Sequence, residues 1–107
     1  MTDTQADTQA DAQAGTEADT RLLVGSLSND LLRVASLAQR GSTQAASRFL
    51  GEAQRWSREL QQRDVAEYVV KLARDISARQ ADDISMPSAE RYLMYGVLLQ
   101  NYALHRS

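Results

Sequence analysis

The stretch "LLVGSLSNDLLRVASLAQRGST", Leu22 to Thr43, decides what kind of fold this chain takes. Leu23, Leu27, Leu31, Val34 and Ala38 recur at intervals of three and four, the spacing that turns one side of an α-helix toward a core. Gly41 closes that helix, because a residue without Cβ enters the left-handed conformation that helix ends favour. Ser42 or Thr43 is then placed to cap the next one. Strand-like alternation is nearly absent from the remainder, so the chain reads as all-α.

Working outward, the second helix carries Ala46, Phe49, Ala53, Trp56 and Leu60 on one face. Arg48, Glu52, Arg55 and Glu59 fall on the opposite face, spaced for alternating ion pairs worth a few tenths of a kcal/mol each. The apolar phase breaks after Leu60. "DVAE" then offers Asp64 as an N-cap with Glu67 three residues on, opening a third helix that buries Val65, Tyr68, Val69, Leu72 and Ile76. "QADDISMPS" is a loop by composition. Pro87 suits the first turn of a fourth helix, from about Ala89 to the end, with Ser85 or Ser88 as cap.

On the other side lies "MTDTQADTQADAQAGTEADT", built on a repeated Asp-Thr-Gln-Ala unit and holding no large apolar residue after Met1. A segment that cannot bury apolar surface does not offset the entropy of ordering itself. We therefore expect a disordered acidic tail over residues 1–20, the alternative being an isolated Ala/Gln helix, and a helical bundle domain over residues 21–107. The tail has five acidic residues and no Lys or Arg. The formal charge of −2 thus leaves twelve basic against nine acidic residues in the bundle, a net +3. A mildly basic body is compatible with a polyanionic partner. Eleven of its twelve cations are Arg, whose planar fork suits phosphates; a G+C-rich coding bias produces the same preference.

The fourth helix, "RYLMYGVLLQNYALHR" from Arg91 to Arg106, is apolar around most of its circumference. At 100° per residue Leu93, Val97 and Leu104 form one group, flanked by Met94 and Leu98, and Tyr92, Tyr95, Leu99 and Tyr102 form another beside Gly96 and Ala103. A membrane span needs about 20 apolar residues, and Gln100 and Asn101 interrupt this shorter run. Either the helix is central to the bundle, or one face meets another subunit. The second reading gives the interface to Tyr92, Tyr95, Leu99 and Tyr102, because tyrosine is rigid, amphipathic and enriched at interfaces. It predicts self-association or a larger complex.

Chemistry is sparse. The absence of cysteine removes disulfides, thiolate metal sites and a Cys nucleophile. His105 is the lone histidine, with no second ligand at metal spacing, and the adjacent Asp82 and Asp83 diverge in a loop. No nucleophile elbow or glycine-rich phosphate loop is present. "QNYALH" resembles the RNxxxH motif of HEPN helical ribonucleases, but Gln100 stands where the catalytic arginine would be, and without that cation the phosphate transition state loses its main stabiliser. We expect no enzyme, no metal and no cofactor. The acidic, apolar-free start predicts no secretory signal and hence a cytoplasmic protein without a membrane role.

Three segments in order are similar to the small helical subunit of type III-A CRISPR effector complexes, the Csm small-subunit family. "STQAASRFL", Ser42 to Leu50, resembles that family's "TTSQIRKFL", and "VVKLARDISAR", Val69 to Arg79, resembles "KVKLAYAxGR". The closing helix resembles one ending in "AYH" and a basic residue, with Ala103, Leu104, His105 and Arg106 in those places. The likeness covers roughly residues 25–106. It implies a non-catalytic antiviral-defence subunit, present in several copies and stacked along guide and target RNA beside other effector subunits. Under that implication Arg48 and Arg55 on helix two, and Lys71 and Arg74 on helix three, follow the RNA backbone without reading its sequence. The alternative is a protein-only helical adaptor or homodimerisation module whose arginines face solvent. Arg40 and Arg79, near helix ends, complement the helix dipole.

Overall fold

The structure, a computed structural model, describes the backbone of residues 2–105 and the side chains of residues 18–105. It is an all-α bundle of four helices: α1 (Thr2–Gln39), α2 (Thr43–Leu60), α3 (Glu67–Ala78) and α4 (Met86–His105). Leu23, Leu27, Leu31, Val34 and Ala38 are all buried, as their spacing requires. Most of residues 1–20, read above as disordered, lie outside the described side chains. Of those described, Thr20 is only 3% exposed, so packing has already begun there.

α1 ends at Gly41, whose φ of 80° is the left-handed value foreseen from its missing Cβ. The Ser42 amide reaches back to Leu37 O (2.9 Å) and the Gly41 amide to Ala38 O (3.1 Å), satisfying carbonyls that the helix end leaves open. Ser42 is the N-cap of α2 without a side-chain capping bond. The chain turns back here, and α2 and α4 both pack on α1. α3 lies against α2 and reaches α4 through side chains. Gln54, buried on α2, caps the end of α3 by donating to the carbonyls of Ile76 and Arg79.

Two boundaries differ from the sequence reading. α3 starts at Glu67 with Ala66 as N-cap and no side-chain cap, so Asp64 does not open it. The Ala66 amide is occupied instead by the Tyr102 hydroxyl, which accepts from it at 3.1 Å. α4 starts at Met86. Ser85 is its cap, accepting from the Ser88 amide at 3.4 Å, and Pro87 sits in the first turn where its missing N–H costs nothing. On α2 the buried face is rotated from the expected stripe: Leu50, Gln54 and Ser57 are buried with Ala46, Ala53 and Leu60, while Phe49 and Trp56 are half-buried.

The two apolar faces of α4 are assigned opposite to the expectation. Tyr92 and Leu99 are completely buried, and Tyr95 and Tyr102 are half-buried against the same core, so these four residues do not form a free subunit interface. The reason is the hydroxyls of the three tyrosines. Tyr92 donates to Asp83 O (2.8 Å) and Tyr95 to Asp75 Oδ2 (2.6 Å), while Tyr102 accepts from Ala66; each ring fastens α4 to a neighbouring segment. Tyr102 also meets Tyr68 edge-to-face at 5.8 Å. Leu93, Val97 and Leu104 make no such bond, and their face is left outside.

Candidate functional site

That outer face is the most conspicuous surface of the bundle. Leu93, Met94, Val97, Leu98 and Leu104 are 39–72% exposed on one helix, and Met86 continues them at 52%. Water-exposed apolar side chains scattered singly are ordinary, but a contiguous strip along about 30 Å of helix marks a contact surface. The opposite side of α4 explains why the strip cannot turn inward. Gly96 packs so closely on α1 that an added Cβ would lie 2.8 Å from Leu32 Cδ2, and the Gly96 carbonyl accepts the Ser28 hydroxyl at 2.6 Å.

The four basic residues proposed for RNA are all exposed, two on α2 and two on α3, with Arg55 toward α1 and Lys71 toward α4. Arg48 and Arg55 share the outer side of α2, about 10 Å apart along the axis. Their expected partners have gone elsewhere. Glu59 pairs with Arg63 at 3.2 Å, and Glu52 accepts from Trp56 Nε1 at 3.4 Å. Arg55 instead covers the Trp56 ring at 5.6 Å, beside an open groove lined by Asp19, Leu22, Trp56 and Arg63. Lys71 lies on the side of α3 nearest α4, in a shallow hollow with Tyr68, Tyr95 and Leu98, and meets Glu67 at 3.6 Å. That exposed pair is weak enough to open for a phosphate. Arg74 is exposed on the same helix.

His105 lines a small hollow with Tyr68, Asn101 and Tyr102. Among the described residues no group of three or more His, Asp or Glu side chains is placed to hold a metal, and no helix is long and apolar enough to cross a membrane.

The sequence reading passed over an acidic pair between α1 and α2. Asp30 is 7% exposed, and no protein group hydrogen-bonds its Oδ2. Burial, aided by Glu52 and opposed by the Trp56 N–H and Arg33, pushes its carboxyl up to about 7. A signal was available, since Asp30 follows Leu27 by three residues and precedes Val34 by four, on the buried stripe. The raised value makes the folded state hold a proton that the unfolded chain, at 3.8, releases earlier. Asp30 is therefore harmless below about pH 4 and costs stability increasingly as pH rises through 7. Asp30→Asn should stabilise the protein by about 1–3 kcal/mol at pH 8 and by little at pH 4, checked by urea unfolding at both. An unchanged difference between the two pH values would contradict this assignment.

Comparison with protein-family models, with curated proteins and with solved structures gives no match.

Proposed function

We propose that this chain is a non-catalytic docking component, and specifically the small subunit of a type III RNA-guided CRISPR effector complex. The observation that carries the docking reading is the outer strip of α4, exposed although the core behind it is already filled by Tyr92 and Leu99. Covering it requires a second molecule, and a component of a larger particle has one. The effector assignment rests on the ordered resemblance of three helical segments. Exposed Arg48, Arg55, Lys71 and Arg74 are in keeping with it, because each can reach a phosphate without disturbing the core.

Contacts of this kind displace counterions and ignore base identity, so binding should be weakened by salt. With about three phosphates neutralised per copy, the affinity for labelled single-stranded RNA should fall with a log–log salt slope near −2. Replacing both Arg48 and Arg55 with Glu should reduce affinity by about tenfold or more and flatten that slope, with unfolding curves unchanged. No binding at any salt concentration would leave the protein-only adaptor, a reading favoured by the separation of the α2 and α3 cations. Binding that survives the double substitution would reject those two residues as the RNA contact.

A further inference from the structure

The outer strip of α4 has an internal symmetry that identifies what covers it. Met86, Glu90, Leu93, Val97, Gln100 and Leu104 follow one another at intervals of four, three, four, three and four, the repeat of a helix-packing seam. All six are exposed. The order of residue types is a palindrome about position 95. Met86 mirrors Leu104, Leu93 mirrors Val97, and Glu90 mirrors Gln100.

We propose that this seam is an isologous interface for a second copy of the chain, the two α4 helices packing antiparallel about a twofold axis level with residue 95. The inference rests on the docking reading of α4 and supplies its partner. In this arrangement every apolar side chain meets an apolar one, Met86 against Leu104 and Leu93 against Val97, each contact made twice. Each Glu90 carboxylate faces the partner copy's Gln100 amide, which has N–H groups to donate. A parallel pair would instead set Glu90 against Glu90, two carboxylates in a closing apolar seam, which is repulsive. Charge and hydropathy thus select both a self-partner and its direction. The Tyr95 ring does not obstruct the axis, because its hydroxyl is engaged inward with Asp75.

Met94 and Leu98 flank the seam and broaden the contact. The N-terminal segment cannot serve as occupant, since residues 2–17 hold no large apolar side chain to enter the strip. A seam of one helix pair lies at the small end of specific interfaces, so the pair should form in the micromolar range and exchange readily.

The cysteine-free chain makes the arrangement directly testable. Leu93→Cys and Val97→Cys are prepared separately, mixed in equal amounts at about 100 µM and oxidised mildly. The mixed Leu93–Val97 disulfide should form about tenfold faster than either disulfide between identical variants, and faster than cross-links from an exposed control, Gln39→Cys, because docking raises the effective concentration of the facing pair. Predominant coupling of each variant to itself would mean a parallel seam and overturn the proposal. So would coupling no faster than the control. Should either variant unfold, Met86→Cys with Leu104→Cys tests the same axis with the same outcomes. The RNA titration of the Arg48 and Arg55 double variant is scored separately, so loss of self-pairing and loss of RNA binding are distinguishable.

Discussion

Arg79→Ala is expected to cost about 3 kcal/mol of stability, the largest loss from any single polar side chain in the bundle. Arg79 sits just past α3 with its side chain 15% exposed, where it ties together three segments of chain. Its guanidinium meets Asp75 Oδ2 at 3.1 Å and Asp83 Oδ2 at 2.8 Å, donates to Ser88 Oγ at 3.1 Å, and lies 5.4 Å from the centre of the Tyr92 ring. Burial works against its charge, but the two carboxylates outweigh that and hold the proton more firmly than usual. Removing it leaves Asp75 and Asp83 facing each other across an emptied space next to a buried tyrosine. Partial exposure of both carboxylates keeps the loss below that of a fully buried pair.

The pH dependence of this loss has a definite sign. Ser88 and Arg79 hold the Asp83 carboxyl below its ordinary 3.8 against the opposing effect of burial, so its contribution is present above that value and disappears as pH falls below it. The gap between wild type and Arg79→Ala, measured by urea unfolding, should therefore narrow in acid. Arg79→Lys should recover less than half of it, because a point charge cannot span both carboxylates and the Tyr92 face. A gap that stays constant down to pH 3 would contradict the account of the cluster.

Gly96→Leu is the second large effect, expected at about 2–3 kcal/mol from overpacking. The Cβ alone would approach Leu32 Cδ2 to 2.8 Å and Ser28 O to 3.3 Å, and the backbone oxygen cannot swing aside. α4 must then lift from α1, stretching the Ser28 hydroxyl bond to Gly96 O. Gly96→Ala meets the same Cβ contacts with Leu32 and Ser28 O but brings no further atoms, and alanine returns about 1 kcal/mol of helix propensity, so it should cost less than the leucine. For a domain of this size the leucine variant should melt roughly 10–20 °C lower. Equal melting temperatures for Gly96→Leu and wild type would show that the α1–α4 contact is looser than described.

The contrast between these sites shows what a sequence read alone could supply. The stripe of α1, the stop at Gly41 and the placement of Pro87 were legible because each depends on local geometry. The Arg79 cluster was not: its i, i+4 spacing from Asp75 and to Asp83 was visible, yet nothing local said that Ser88 and Tyr92 would close around it, and the residue read as a dipole partner. The faces of α4 were separable by angle but not assignable by it. A better guide lay in Gly96 and Ala103, small residues beside the tyrosines, since close helix approach needs small residues on the inner side. Of the basic residues, exposure was foreseeable, whereas their division between two helix sides depended on how α2 and α3 pack.

The claim that α4 presents a self-complementary docking strip is tested most directly by sedimentation equilibrium of the full chain from about 1 to 100 µM, alongside Val97→Arg. The wild-type mass should rise reversibly toward twice that of one chain, and Val97→Arg, which places a cation on the seam without touching the core, should remain single throughout. A wild-type protein that stays at the single-chain mass over the whole range would contradict it.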